Sequence, residues 1–424
     1  MIRPLTDVAV PLDHRAAQLW HNWGGNQQCT PAVTLTPRTE DEVLEVVRFA
    51  IRDRQQVRPL GAGYSATPVV NTGGIQLDTT ALTGITDVDT ARHRVRLRGG
   101  TLLRDIGDAL WDRGFALHNQ GDLVTQTIAG ALATATHGSG IGEPTMSARL
   151  RWARIVTGLG EVVEIGDDDL IRLRAAQVSL GALGVVTELE LDVEPRYHLR
   201  EEISHPRWSD VEAVVEDDVA DHRHFSFMWC QTDGSPALYE LPCPERLSMA
   251  GRVFQKTFDV AEHAGDEPAN PEPGVRVDRS YRIYDADGVS DPFHELEYFV
   301  PATVGLVALQ ALQELITLRH PDQLYPVEVR WVKGDDAHLS PAHQRDSTVL
   351  SVSGAPGTDY WPYLRDVDAL LADFDARPHW GKIHLFGPAR VAEVFPHRDD
   401  FVAVRRELDP HGIFLNDHLR RLFD

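Results

Sequence analysis

Two stretches, GAGYS (61–65) and GALATATHGSG (130–140), decide how this 424-residue chain is read. The first ends an apolar run, VRPL (57–60), in a glycine turn. A dinucleotide fingerprint would need Gly-x-Gly-x-x-Gly opening a helix. Here Ala66 stands where the third glycine belongs, and TPVVNTGG (67–74) carries Pro68 and reads as no helix. A Walker loop fails as well, because no Gly-Lys-Ser/Thr follows. A nest of backbone N–H groups can still bind an anion without a helix, and glycine lets the backbone approach it closely. The second stretch has small side chains, threonine hydroxyls and almost no charge. Either stretch alone fits close helix–strand packing as well as a binding wall. Together, in one domain, they favour a narrow slot for a large flat cofactor.

The composition, 42% apolar and 25% charged, is that of a globular protein long enough for two domains. The net charge of −23 disfavours nucleic acid and anionic membrane as partners. No apolar run reaches the ~18 residues of a membrane span, and MIRPLTDVAVPLDHR (1–15) lacks the apolar core of a secretory signal. Cys29, Cys230 and Cys243 are too scattered for a zinc knuckle or a disulfide framework, so a reducing cytoplasm and no metal are expected. Only three of the 41 basic residues are lysines. Of these, Lys256 and Lys333 read as ordinary surface residues.

Strands and helices alternate in the first part. PAVTLTP (31–37) is a strand. Thr39 and Glu42 form a capping box before Val43, Val46, Val47 and Ala50 at helical spacing. RHRVRLRGG (92–100) alternates as a half-buried strand, and a helix capped by Thr101 runs to Gly114. RIVTGLGEVVEI (154–165) is a hairpin, and the run SLGALGVVTELEL (179–191) ends in a long strand closed by Pro195. Charges and aromatics then rise, AGDEPANPEPG (264–274) reads as a mobile loop, and a domain boundary is placed near residue 196.

Two short strands in the second half carry polar residues in a pattern. In PVEVRWV (326–332), Glu328 and Arg330 share one face, opposite Val327, Val329 and Trp331. In HWGKIHLF (379–386), Lys382 and His384 share a face. Either strand alone fits a solvated ion pair.

Beyond these local readings, the two glycine stretches and the SLGALGVVTELEL run resemble the FAD-binding domain of the vanillyl-alcohol-oxidase superfamily. NWGGN (22–26) and DPHGIFLNDHLRRLF (409–423) resemble the terminal motifs of its sugar-lactone and alditol oxidase branch, with His418 in a tyrosine place. The resemblance implies an α+β, two-domain FAD-linked oxidase fold. Its FAD domain would span 1–195, an antiparallel-sheet substrate domain 196–385, and a returning tail 386–424. It implies FAD contacts from Gly61, Ala62, Gly63, Tyr64, Ser65, Gly121, Asp122, Thr127, Gly130, Ala131, Thr134, His137, Gly138, Val185, Val186 and Lys382.

Glu-x-Arg followed by Gly-Lys-x-His is the branch's active-site pattern. The implied catalytic group is therefore Lys382, Glu328, Arg330 and His384, joined by Asp122. Lys382 would stabilise flavin charge, Glu328 and Arg330 would orient substrate, and His384 would be a second proton carrier. The implied reaction takes a hydride from a CH–OH or CH–NH carbon of a small polar substrate, with O2 as acceptor and H2O2 as product. A sugar dehydrogenase with another acceptor and a non-catalytic flavin protein are the alternatives.

Three departures from the branch matter. Tyr64 stands where many members carry a histidine bonded to the flavin, which suggests non-covalent FAD. Asp122 stands where alditol oxidases tend to have serine, which hints at an amine-bearing substrate. Ser351 stands where those enzymes tend to place a histidine. Gly121 would leave room for dioxygen. A monomer or homodimer is expected.

Overall fold

The computed structural model describes residues 13–262, 268–284 and 291–424. The N-terminal segment read for a secretory signal, and residues 264–267 of the expected mobile loop, lie outside or largely outside these.

A four-stranded sheet opens the fold, in the order Asp13–Ala16, Val33–Thr36, Ile75–Asp78, Val57–Leu60. The strands Val33–Thr36 and Val57–Leu60 both run parallel to Ile75–Asp78 between them. The helix Glu40–Asp53 links the two. Thr39 caps it by accepting from the Glu42 amide at 3.2 Å, and Glu42 Oε2 accepts from the Arg38 amide at 2.6 Å, one residue earlier than in the usual capping box. Its face of Val43, Val46, Val47 and Ala50 is fully buried against Val33, Leu35, Ile75 and Leu77. Ile413 and Phe414 join the same cluster, so the C-terminal segment returns to the first sheet.

A five-stranded antiparallel sheet follows, containing the Leu150–Val156/Val162–Gly166 hairpin and the long strand Val185–Asp192. The helix expected from Thr101 begins instead at Leu103. The Thr101 hydroxyl is already engaged with the Gly84 amide at 3.0 Å and the Arg98 carbonyl at 2.7 Å, so it cannot act as the cap.

An eight-stranded antiparallel sheet forms the second half. Its order is Val275–Arg279, His198–Ser204, Arg252–Ala261, His224–Cys230, Val327–Val332, Ser347–Gly354, His294–Pro301, Arg377–Pro378. Its register decides which side chains meet. Glu297 faces Ser351, Ser351 faces Glu328, Glu328 faces Met228 and Met228 faces Phe254. Directly opposed residues share a face, so five strands contribute to one row. Arg330, Ser226 and Lys256 form the next row on that face. The segment 379–386 is not a strand. It is tied to the edge of the sheet by a bridge from Ile383 to Leu296, with the His379 and Ile383 amides donating to the Glu297 and Glu295 carbonyls at 2.9 and 2.7 Å.

Candidate active site

The two glycine stretches come together. A Cβ on Gly61 would fall 2.2 Å from the hydroxyl of Thr127, so only glycine allows this approach. Thr127 in turn caps the helix Ile128–Ala133 through the Gly130 amide. Between the walls runs a slot of about 110 Å³ lined by residues 61–65, Thr127, Gly130, Thr134, Val185 and Val186. Gly63 takes φ +75°, a left-handed turn that favours glycine. The backbone amides of Ala62, Gly63, Tyr64 and Ser65 have no protein acceptor among the described residues. Four successive free donors beside a nearly uncharged wall suit the pyrophosphate and ribityl chain of FAD. The residues present therefore fit that cofactor.

Ala131 and Gly138 do not line the slot. Ala131 is packed in the core, and a Cβ on Gly138 would meet Asn119 Oδ1 at 2.3 Å. Both are small for packing reasons.

The N-terminal motif braces the GAGYS loop and the C-terminal motif braces the turn that follows it. Asn22 Nδ2 donates to the Ser65 carbonyl at 3.0 Å, Asn26 Nδ2 to Ala66 at 2.9 Å, and the Trp23 amide to Gly63 at 3.0 Å. From the other end, Asn416 Nδ2 donates to Pro68 and Asn71 carbonyls at 2.7 and 3.0 Å. Arg58, fully buried on the strand before the loop, donates to the carbonyls of Val69, Leu180, Gly181 and Phe414. Burial lowers its guanidinium to about 9, which still leaves it charged at neutral pH. Sequence reading missed Arg58, since one arginine in a strand has no pattern.

The slot opens into a cavity of about 580 Å³, and Tyr64, Ser65, Gln126 and Thr134 line both. The Tyr64 hydroxyl shares a hydrogen bond with Thr125 Oγ1 at 2.5 Å, and its ring packs 5.8 Å from Trp23. Gly121 and Asp122 lie at the wall. A Cβ on Gly121 would meet Thr136 and the His137 carbonyl at 3.1 Å, a contact tighter than ordinary packing.

Glu328, Arg330 and Lys382 converge on this cavity. Arg330 Nε donates to Glu328 Oε1 at 2.7 Å, and its other arm contacts Asp122. Burial opposes the Arg330 charge, but Asp122 and Glu328 outweigh it. Burial pushes the Glu328 carboxyl up to about 6, with Arg330 pulling against it and Asp122, Glu295 and Glu297 adding to the rise. Lys382 contacts Glu295; burial disfavours its charge, but Glu295 and Glu297 more than compensate and raise it. Partial desolvation at the cavity wall works against the charge of the half-exposed Asp122, but Arg330 and Lys256 hold its carboxyl below the usual range.

His384 does not enter the cavity. The segment is irregular, so the expected alternation fails. Its ring turns toward Trp380 and His418, at 5.6 and 5.8 Å, and both ring nitrogens are buried without partners. Burial and the neighbouring His418 and Arg421 lower it to about 3.

Other histidines take the place expected for it. His137 Nδ1 lies 2.7 Å from the Gly138 carbonyl, and Nε2 lies 3.0 Å from Glu297 Oε1. Both contacts are to acceptors, so a proton must lie between His137 and Glu297. Burial opposes the Glu297 charge, yet His137 holds this carboxyl well below the usual range. Ser351 completes the group, donating to Glu297 Oε2 at 2.7 Å. His379 is buried beside it, lowered to about 3 by burial, with Nδ1 accepting from the Gly381 amide at 3.0 Å. Lys256 also corrects its surface reading: it lines the cavity, 3.4 Å from Glu201. Glu295 and Glu297 had a sequence signal, two acids at i,i+2 in the apolar run HELEYFVP (294–301).

Comparison with known proteins agrees with this geometry. The family described as D-arabinono-1,4-lactone oxidase matches residues 244–422, and the FAD binding domain family matches 31–166. The L-gulono-1,4-lactone dehydrogenase of Mycobacterium tuberculosis is 34% identical over 95% of this chain and 99% of its own. The chain belongs to the sugar-lactone and alditol oxidase branch of the vanillyl-alcohol-oxidase superfamily. The alditol oxidase of a Streptomyces species is 32% identical over 95% and 98%. The L-gulonolactone oxidase of Mus musculus is 25% identical over the same shares. A crystal structure of cholesterol oxidase from B. sterolicum superposes with a TM-score of 0.84 at 16% identity, over 100% of this chain and 99% of that one, which speaks to the fold. The protein is an FAD-dependent oxidoreductase of two-domain α+β fold. No helix among the described residues is long and apolar enough to cross a membrane.

Proposed function

We propose that this branch member is an oxidase of a small polyhydroxylated substrate, an alditol, aldonolactone or aminosugar, holding FAD without a covalent bond. The observation that carries the reading is the meeting of Glu328, Arg330 and Lys382 on a cavity continuous with the glycine slot. Bound FAD supplies the hydride acceptor. The chain supplies the rest. Lys382 and Arg330 hold fixed positive charge where negative charge develops. Glu328, titrating near neutral pH, takes the hydroxyl proton of the substrate carbon being oxidised. Glu297, with its proton shared to His137, holds Ser351 and the cavity floor in place. His384 is left out of this group. Tyr64 occupies the tether position and offers no nucleophile of the histidine kind, which supports dissociable FAD.

The lining also favours a substrate with an amino group. Among the described residues, the lining carries Asp122, Glu201, Glu240, Glu295, Glu297 and Glu328 against Lys256, Arg276, Arg330 and Lys382 as fixed cations. We also keep the division at 195/196 and the return after 385 as our proposal. It is supported by the eight-stranded sheet drawing only on strands between His198 and Pro378.

The test is direct. The purified protein should be yellow, and acid precipitation should leave the flavin in the supernatant. A screen of polyols, aldonolactones and aminosugars should yield peroxide. Slow reoxidation of the reduced enzyme by air-saturated buffer would replace the oxidase with the second reading, a dehydrogenase. That reading draws on the name of the mycobacterial relative.

A further inference from the structure

We propose that His338, His397 and Asp400 form a binding site for a divalent transition metal of the zinc type, away from the flavin cavity. One ligand atom from each lies within 4.8 Å of the others. Two imidazoles and a carboxylate are a zinc donor set, with a fourth position left for solvent or a further side chain. None of the three lines the slot or the cavity.

Sequence spacing hides this site, because its parts come from distant segments. His338 sits in a loop that Asp335 makes rigid. The Asp335 carboxylate accepts from Thr145 Oγ1 at 2.7 Å, Ser340 Oγ at 2.8 Å and the Ala337 amide at 3.1 Å. His397 and Asp400 stand at the start of the helix Arg398–Leu408. The rings of His338 and His397 stack at 5.3 Å with 16° between planes.

Two observations point to a ligand. Nδ1 of His338 is buried without a partner, on a residue only 3% exposed. His343, also 3% exposed, has Nδ1 at 2.9 Å from the Ala337 carbonyl, to which it donates. That fixes a lone pair on Nε2, which is again buried without a partner. A histidine anchored through one nitrogen to a carbonyl, with the other bare, is how metal-ligating histidines are held. The His343 ring meets that of His397 edge-on at 4.9 Å, so His343 borders the site without being one of its three convergent ligands. Nδ1 of His397 lies 2.6 Å from Asp400 Oδ2, a hydrogen bond whose proton a metal would replace. His397 and Asp400 side chains are 38% and 57% exposed, which gives an ion its entry path.

The site has a structural consequence. The loop accepts from Trp380 Nε1 at the Leu339 carbonyl (2.6 Å) and from Arg377 at the His343 carbonyl (2.8 Å). Those donors belong to the segment that delivers Lys382. A metal here would fasten the wall behind Lys382 to the helix Arg398–Leu408.

The experiment uses tag-free, full-length holoprotein, stripped with chelator and titrated with Zn2+ or Co2+. The expected result is one equivalent bound, a cobalt ligand-field spectrum, and a zinc-dependent rise in Tm of about 3 °C. His338→Ala and His397→Ala should each abolish the cobalt spectrum while the flavin spectrum confirms folding. Asp400→Asn, at an exposed position, should weaken zinc binding at least about tenfold without any risk to folding. An unchanged Tm with a featureless cobalt spectrum overturns the proposal. So does a spectrum that survives both histidine substitutions, which would put the ion elsewhere.

Discussion

The flavin slot and the substrate face sit side by side and are built in opposite ways. The slot is made of backbone: free amides at 62–65, a glycine pressed on Thr127, and one buried arginine holding loops by their carbonyls. The substrate face is made of side chains from five strands, charged on three of them and set in register by the sheet. Backbone construction needs particular residues in sequence, so it leaves a local signature. Side-chain construction needs only the right residue on each strand, and the partners are far apart along the chain. The two regions should therefore fail differently when broken.

The largest effect is expected at the substrate face. Arg330→Met removes the cation shared by Glu328 and Asp122. Preorganised charge of this kind is worth about 10^3-fold in turnover. The flavin spectrum should stay intact, because Arg330 does not line the slot. Loss of FAD together with activity would mean that the two regions are not separable.

The slot is best broken at Arg58. Arg58→Met leaves the carbonyls of Val69, Leu180, Gly181 and Phe414 without this donor. The cost should be about 3 kcal/mol of stability, on the scale of breaking a buried charged network. Denaturant melts and FAD retention on gel filtration measure it. A stable variant with full FAD would make Arg58 dispensable and the glycines sufficient.

This difference also explains what could be read in advance. The helix 40–53, the hairpin and both slot walls carry local patterns, and they stand where expected apart from Ala131 and Gly138. Glu328, Arg330 and Lys382 were legible as polar residues spaced by two and by the branch resemblance. His384 lies off the expected face because strand alternation does not hold in a segment that is not a strand. His137 reads in sequence only as a slot residue, because its link to Glu297 spans 160 residues and follows from the sheet register. Lys256 reads as surface for the same reason, since nothing near it in sequence names Glu201 as its partner.

A finer test of the substrate face uses pH. Glu328 titrates near 6 because burial outweighs Arg330. Above that pH the group is ionised and can accept a proton; below it the group is already protonated. kcat/KM should therefore fall as pH drops through about 6, approaching tenfold per unit. Glu328→Gln should lower the plateau and erase this limb. A limb that survives the substitution assigns it to another group.

The smallest effect is expected at Asp122, and it links the two measurements. Asp122 is half-exposed, and its charge is one of those that raise Glu328. Asp122→Ser removes a negative charge from the cavity wall and frees Arg330 to pair with Glu328 alone. The Glu328 limb should then move to lower pH, because its ionised form gains an undivided partner. Selectivity for amino over hydroxyl substrates should drop about fivefold, since a half-exposed carboxylate contributes about 1 kcal/mol to holding a cation. A shifted limb with unchanged selectivity would keep Asp122 as a tuner of Glu328 and remove the case for an amine-bearing substrate.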